Sequence, residues 1–369
     1  MLGGAVKVAL VAIIVYKIAE SVLRPSTDVH FKKHYPGDCR PVKGIDFGSE
    51  DFEVTKDGLT FITNGLWFDS ASKIVTDIMA KNNVKGNIYL YDFRKPDLGA
   101  RKLKLIPSKD FNPETFHPHG ISLLEDKTNG EHLIYVISHR EHDDDAVEKF
   151  RYSPKTTELT HLKSFTGAEL FITNDLAVVA EDKFYITNCL YFKNYYLSLM
   201  EFVLPLNLGS LVFFNGTGFN EVVPNLRAPN GISLSRNRRN LYVNLPFASS
   251  MKVFEVQADY SLTEIQSLDL HTLADNLHLS QTGDAFYTGA HPVFSKAMQH
   301  FNDPSQKAPS SVLKLPLKNG KIDLDKITEV FYDDGELISG SSVAAVYNNQ
   351  LLIGSVIHKL VICDANFKL

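Results

Sequence analysis

The chain has little cysteine: Cys39, Cys189 and Cys363 are the three in 369 residues. That excludes a disulfide-dense scaffold and leaves room for a single bridge. There is no basic stripe, and the formal net charge is −5 with a pI near 6.2, which excludes nucleic acid as a partner. There is no G-x-S-x-G elbow, which argues against a serine hydrolase of the α/β type. No Pro-, Gly- or Ser-rich tract divides the chain and no segment is low-complexity, so residues 25–369 read as one domain. The longest apolar run, residues 8–16 between Lys7 and Lys17, falls short of the ~20 residues of a typical membrane span. It suits a signal-peptide h-region, and no A-x-A cleavage pattern follows. Both lysines can snorkel toward the interfaces. Residues 1–24 are therefore expected to form an uncleaved signal-anchor in the endoplasmic reticulum or plasma membrane. The rest would lie on the lumenal or extracellular side, secreted if the anchor is released. The sequon Asn215-Gly216-Thr217 is a glycosylation candidate on that side.

What the chain has is one design that returns six times. A short apolar strand starts after a polar residue or glycine, meets a turn of Asp, Asn, Gly or Lys, and returns as a second apolar strand. The copies are DFEVTKDGLTFITNG from Asp51, HGISLLEDKTNGEHLIYVISH from His119, NDLAVVAEDKFYITN from Asn174, NGISLSRNRRNLYVN from Asn230, DNLHLSQTGDAFYTG from Asp275 and SSVAAVYNNQLLIGS from Ser341. Their starts lie about 45 to 70 residues apart, the spacing of propeller blades. The expected fold is an all-β, six-bladed β-propeller. A propeller closes by joining its first and last blades, and Cys39 and Cys363 stand near the two ends of the folded region. They are expected to form a disulfide; the alternative is two unrelated thiols. Residues 193–208 carry apolar side chains at helical spacing between two blade cores, which predicts a helix over one face, packed as a lid; the alternative is a helix exposed to a membrane.

Four copies open on an acid or an amide: Glu50-Asp51, Asn174-Asp175, Asn230 and Asp275-Asn276. Singly, each would be a turn residue. Recurring at equivalent places on inner strands, their oxygens converge on the propeller axis and suit calcium. Neighbouring strand residues point to opposite sides, so the pairs Glu50-Asp51 and Asn174-Asp175 suggest two ions. His119 and His139 flank the second copy and can share one end of its hairpin. Such a pair can activate water, one ring as base and the other orienting it. The bland reading is two satisfied rim histidines. The acidic run from Glu141 to Asp145 reads as a solvated loop, and Cys189 as an inert thiol.

Over nearly its whole length the chain resembles the paraoxonase/arylesterase family. The resemblance is carried by VKGIDFGSEDFEV, HPHGISL, FITNDLAVV, FYITN, PNGISLS, LADNLHLS, TGAHP and SGSSVAAVYNNQLLIGSVIHKLVIC. It implies a six-bladed propeller closed by a terminal disulfide, with two calcium ions in its tunnel. It implies a catalytic calcium on Glu50, Asn174, Asn230, Asp275 and Asn276, and a structural calcium on Asp51, Asp175 and the carbonyl of Ile121. It implies a catalytic pair, His119 and His139, and a substrate pocket at Leu66, Phe68, Ser342 and Val356. The segment 193–208 matches the family's membrane-facing helix. Four positions depart from the family pattern: Cys189 stands where an Asp is usual, Ala290 where a Cys is usual, and Trp67-Phe68 where Lys-Tyr is usual. The implied activity is calcium-dependent hydrolysis of lactones and aryl esters. The alternative is a membrane-anchored platform that assists a membrane-protein partner such as an ion channel during assembly, with calcium structural.

Overall fold

The computed structural model describes residues 32–67, 72–125, 130–140, 144–194, 197, 198, 200, 201, 204 and 206–365. The expected anchor (1–24) and the pocket candidate Phe68 lie outside them. Among the described residues no helix is long and apolar enough to cross a membrane.

The strands form six sheets arranged as propeller blades. Blade 1 comprises Phe52–Val54, Leu59–Asn64, Asn87–Asp92 and Arg101–Lys102. Blade 2 comprises Pro118–Glu125, His132–Ser138, Ala146–Ser153 and Glu158–Phe165, with Lys104–Ile106 added in parallel at its edge. Blade 3 comprises Ile172–Ala180, Lys183–Leu190, Gly209–Phe214 and Phe219–Leu226. Blade 4 comprises Ile232–Leu234, Asn240–Leu245, Ser250–Val256 and Leu262–Asp269. In blade 5, Leu273–Leu279, Ala285–His291 and Ser310–Lys318 are followed by Thr328–Asp333. Blade 6 takes Ser341–Tyr347, Gln350–Ser355 and Val361–Asp364 from the end of the chain and Cys39–Pro41 from its beginning.

Second strands such as FYITNCL and AFYTGAH are buried along nearly their full length because blades stack on both faces. A strand covered on both sides reads as a continuous apolar run rather than an alternation. The core accordingly splits into layers between blades. Phe52, Ile62 and Tyr91 of blade 1 pack on Val343, Leu352 and Ile362 of blade 6. Phe61 and Ile88 of blade 1 pack on Ile134, Val136 and Phe150 of blade 2. Similar layers fill the remaining junctions. The hairpin turns follow local chemistry: Asn348 and Asn349 both take positive φ between the paired Tyr347 and Gln350, a two-residue primed turn.

The ring closes as expected. Cys39 lies directly opposite Cys363 in the antiparallel register and is disulfide-bonded to it across 324 positions of sequence. Upstream, His34 exchanges two backbone hydrogen bonds with Tyr332, and the Tyr35 hydroxyl donates to Asp333 at 2.6 Å. The N-terminal segment thus laces blades 5 and 6 together.

Within blades, first strands run away from the Glu50 end of the axis and second strands return to it. Connections between second and third strands therefore gather on one face. That face carries helix α1 (Lys73–Lys81) from blade 1 and helix α2 (Phe294–Asn302) from blade 5, joined by a 2.6 Å bond from Ser72 Oγ to the Asn302 carbonyl. Neither helix was expected from sequence. The predicted lid segment emerges on the same face from blade 3, where residues 197, 198, 200 and 201 are helical. The packed-lid expectation holds on one side only. Ser198 and Glu201 are buried, whereas Tyr191, Leu197, Met200, Leu206 and Leu208 are exposed.

Replacing Cys39 and Cys363 by serine should lower the urea midpoint, with about 5 kcal/mol as the chain-entropy expectation for so long a loop. Equilibrium unfolding with and without reductant checks this. Equal midpoints for wild type and the double variant under oxidising conditions would show that ring closure does not need the bond.

Candidate metal and histidine site

Glu50, Asn174, Asn230, Asp275 and Asn276 stand at the starts of inner strands in blades 1, 3, 4 and 5, and His119 at the start in blade 2. Glycine lets these starts approach closely. A Cβ on Gly120 would lie 2.5 Å from the Asp175 Cα, and one on Gly231 would lie 2.4 Å from the Asp275 carbonyl oxygen. The His-Gly and Asn-Gly pairs of the second and fourth copies therefore record where neighbouring backbones meet at the axis.

The set is buried and knitted together. Asn276 Nδ2 donates to Glu50 Oε1 at 2.7 Å, and Ser342 Oγ donates to the Glu50 carbonyl at 2.5 Å. Asn244 Nδ2 holds the Asp275 carbonyl at 2.5 Å, and His291 Nε2 stands 2.9 Å from Asp275 Oδ2. Five buried oxygens nonetheless have no hydrogen-bond partner: Glu50 Oε2, Asn174 Oδ1, Asn230 Oδ1, Asp275 Oδ1 and Asn276 Oδ1. Each costs roughly 1–3 kcal/mol if nothing satisfies it. Burial, and then the charge of Asp275, push the Glu50 carboxyl well above its ordinary pKa, which marks a missing counter-charge. Carboxylate and amide oxygens left bare in one place suit a hard cation. Among the described residues, no three His, Cys, Asp or Glu side chains are placed to share a metal ion, so this set depends on its amides.

Asp51 and Asp175 are bonded differently. Asp51 accepts from Phe52 N at 2.8 Å and from Ile121 N, in the next blade, at 3.0 Å. Asp175 accepts from Leu176 N at 2.7 Å and from Ile232 N, again in the next blade, at 2.8 Å. Every carboxylate oxygen here has a backbone donor. Burial and neighbouring carboxylates still raise both groups, Asp51 through Glu50 and Glu53, Asp175 through Asp51. The signal is an uncompensated charge rather than an orphaned atom.

The two histidines meet. His119 Nδ1 and His139 Nε2 are 2.8 Å apart, and His139 Nδ1 lies 3.0 Å from Asp145 Oδ1. His119 Nε2 faces Asn174 Nδ2 at 3.3 Å and Glu50 Oε1 at 3.6 Å. Burial, and then His139, hold the His119 ring down at about 3, so it is neutral near pH 7. The two rings are thus hydrogen-bonded to each other and buried.

Sequence reasoning missed Asp145 and His291. Asp145 was placed in a solvated loop but is buried. The pairing of Ser138 with Ala146 puts it opposite His139 in the blade 2 hairpin, so strand register would have found it. His291 lay in the quoted TGAHP stretch without a role; a second strand ending beside a first-strand Asp was the available signal. Cys189 is buried among Leu190 and Ala228, and burial, then Asp275 and Glu201, push its thiol up to about 12. It is a neutral thiol, as read.

Of the pocket candidates, Leu66 and Ser342 are buried and Val356 half-buried. Gly48 lies beside both the Val356 carbonyl and Gly65, so Leu66 and Val356 flank the turn leading into Glu50. Trp67 packs against the His117 ring, with centroids 5.2 Å apart. A cavity of about 410 Å³ opens at the other end of the tunnel, lined by Glu53, Glu125, Arg236, Arg238 and His278 and by none of the five residues with bare oxygens. Asn215 lies on an exposed turn, where its Oδ1 accepts from Thr217 N and Gly218 N.

A family described as Arylesterase matches residues 30–365. The human serum paraoxonase/arylesterase 1 is 34% identical over 327 residues, 88% of each chain. The chicken serum paraoxonase/arylesterase 2 is 33% identical over 327 residues, again 88% of each chain. The rabbit serum paraoxonase/lactonase 3 is 31% identical over 328 residues, 89% of each. Among solved structures, a luciferin-regenerating enzyme superposes with a TM-score of 0.51 at 9% identity, over 90% of this chain and 100% of its own, which speaks to the fold alone.

The raised carboxyls carry a sign for stability in chelator. A group whose folded pKa exceeds its unfolded value binds protons on folding, so stability falls as pH rises through that window. Melting temperature in EDTA should therefore fall from pH 5 to pH 8, and calcium should raise it most at the upper end. A calcium effect equally large at both ends would contradict a site built from these acids.

Proposed function

This chain belongs to the arylesterase (paraoxonase) family, and from that premise we propose that it is a calcium-dependent hydrolase of lactones and aryl esters. The observation that carries the reading is the set of five bare, buried oxygens next to a hydrogen-bonded histidine pair. Glu50, Asn174, Asn230, Asp275 and Asn276 would hold the catalytic calcium, and Asp51, Asp175 and the Ile121 carbonyl a structural one. Bound there, calcium supplies Lewis-acid polarisation of the substrate carbonyl and stabilises the developing oxyanion.

The chain's own residues supply the rest. His119 is neutral, so its Nε2 can take a proton from water as that water attacks the carbonyl carbon. His139 fixes the His119 ring through the 2.8 Å bond. His291 holds one oxygen of Asp275, leaving the other bare. Leu66, Phe68, Ser342 and Val356 are proposed to flank the acyl and leaving groups. Cys189, neutral and packed, takes no part in proton transfer.

The exposed Tyr191, Leu197, Met200, Leu206 and Leu208 support a second element of the proposal. They share the face onto which the site's strand ends open. An apolar patch of this kind is suited to seat on a membrane surface, bringing apolar esters to the site. Leu197→Ser with Met200→Ser should reduce flotation of residues 25–369 with neutral vesicles severalfold and leave hydrolysis of a soluble ester unchanged. Unchanged flotation would remove the membrane role from this segment.

The primary test is the initial rate of aromatic-lactone hydrolysis, with calcium and after chelation and calcium return. The rate should vanish and recover, and His119→Gln should lower kcat about 100-fold or more with the fold retained by circular dichroism. No rate from folded, calcium-loaded wild type would sink the hydrolase proposal and favour the binding-platform reading.

A further inference from the structure

Asp145 is buried, and both its oxygens are engaged. Oδ2 accepts the backbone N–H and the hydroxyl of Thr173, each at 2.8 Å; Oδ1 faces His139 Nδ1 at 3.0 Å. Burial raises its pKa, but His139 and the Thr173 donors outweigh this and the net direction is down, in keeping with a carboxylate. An ionised carboxylate only accepts, so His139 carries its proton on Nδ1. With a single proton on the His139 ring, its Nε2 is a lone pair, and the 2.8 Å contact with His119 requires His119 to donate from Nδ1. His119 Nε2 is bare in turn. The amide of Asn174, 3.3 Å away, can satisfy it only with its NH₂ group, which turns Asn174 Oδ1 away from the histidine and leaves it among the five unpartnered oxygens.

We propose that Asp145 is a positioning residue that sets, through this relay, both the base nitrogen of His119 and the orientation of Asn174 as an oxygen donor to the cation. The assignment rests on the direction of each hydrogen bond. It deepens the proposed hydrolase in its kinetic consequence, while its consequence for the cation stands without any activity.

Asp145→Asn reverses the chain without emptying it. The Thr173 backbone N–H can only donate, so the new amide must give it the oxygen and turn the NH₂ toward His139. His139 must then accept at Nδ1 and hold its proton on Nε2. His119 follows, and its Nε2–H meets the Asn174 NH₂. Relief comes from turning Asn174, which aims nitrogen at the cation.

The test uses the full chain loaded with calcium and uniformly ¹⁵N-labelled. Long-range ¹H–¹⁵N spectra should show wild-type His119 and His139 both protonated on Nδ1; a proton on His119 Nε2 in wild type would overturn the proposal whatever the variant does. In Asp145→Asn both rings should change tautomer, and calcium affinity, measured by competition with a chromophoric chelator, should fall at least ~10-fold, within the range for partners of metal ligands. Thr173→Val keeps the backbone donor and the carboxylate, so both rings should keep their wild-type tautomers. An affinity within twofold of wild type in folded Asp145→Asn would also overturn the proposal. On an aryl ester, Asp145→Asn should lower kcat about 100-fold with little change in KM. If wild type hydrolyses no ester, the hydrolase reading fails, and the tautomer and affinity results still decide the role of Asp145.

Discussion

Each blade has two apolar faces, and neither is stable in water. A blade in the middle of the chain is covered by its sequence neighbours, but the first and last each have one face that only the other can cover. Everything else depends on that junction. The layer of Phe52, Ile62, Tyr91, Val343, Leu352 and Ile362 exists only once blade 1 meets blade 6. The last blade lacks an outer strand until Cys39–Pro41 supplies it, and the disulfide makes that loan permanent. Propellers answer the general problem of exposed sheet edges by closing on themselves; here the closure is noncovalent through six layers and covalent at one point.

Closure also creates the site. Five inner strands begin close together at the axis, where space is so tight that Gly120 and Gly231 have no room for a Cβ. Polar groups placed there are removed from water by the architecture itself. Most find partners in the next blade: Asp51 with Ile121, Asp175 with Ile232, Ser342 with Glu50. The bare oxygens are the remainder. A polar group buried without a partner opposes folding, and bare oxygens gathered at one point are suited to a hard cation.

The fold was legible because its repeat is a matter of period. Six hairpins at blade spacing, and near-continuous apolar runs such as FYITN, report strands covered on both faces. The gathering of acids and amides at the axis was legible because they recur at equivalent strand starts. Asp145 was not, because its neighbours in the acidic run look like a solvated loop, and what buries it is a cross-strand register in the blade 2 hairpin. Helices α1 and α2 escaped because they sit in connections, where the strand period carries no information. The hairpin pattern already put His119 and His139 at one end of the second copy, whereas the proposed direction of the proton between them rests on the donors around Asp145.

Cys39 and Cys363 also impose an order in time. The chain is made from its N-terminus, so the strand Cys39–Pro41 is complete long before its partner exists. At roughly 5–20 residues per second, the 324 residues that separate the cysteines take about 15–65 s to synthesise. For that interval the first strand has no sheet to join and its thiol no mate, while the inner blades can already stack in order. The strand that seals the ring is thus the first made and the last placed, and whatever holds the N-terminus through that wait determines whether blade 6 is finished by its own chain or by another molecule's.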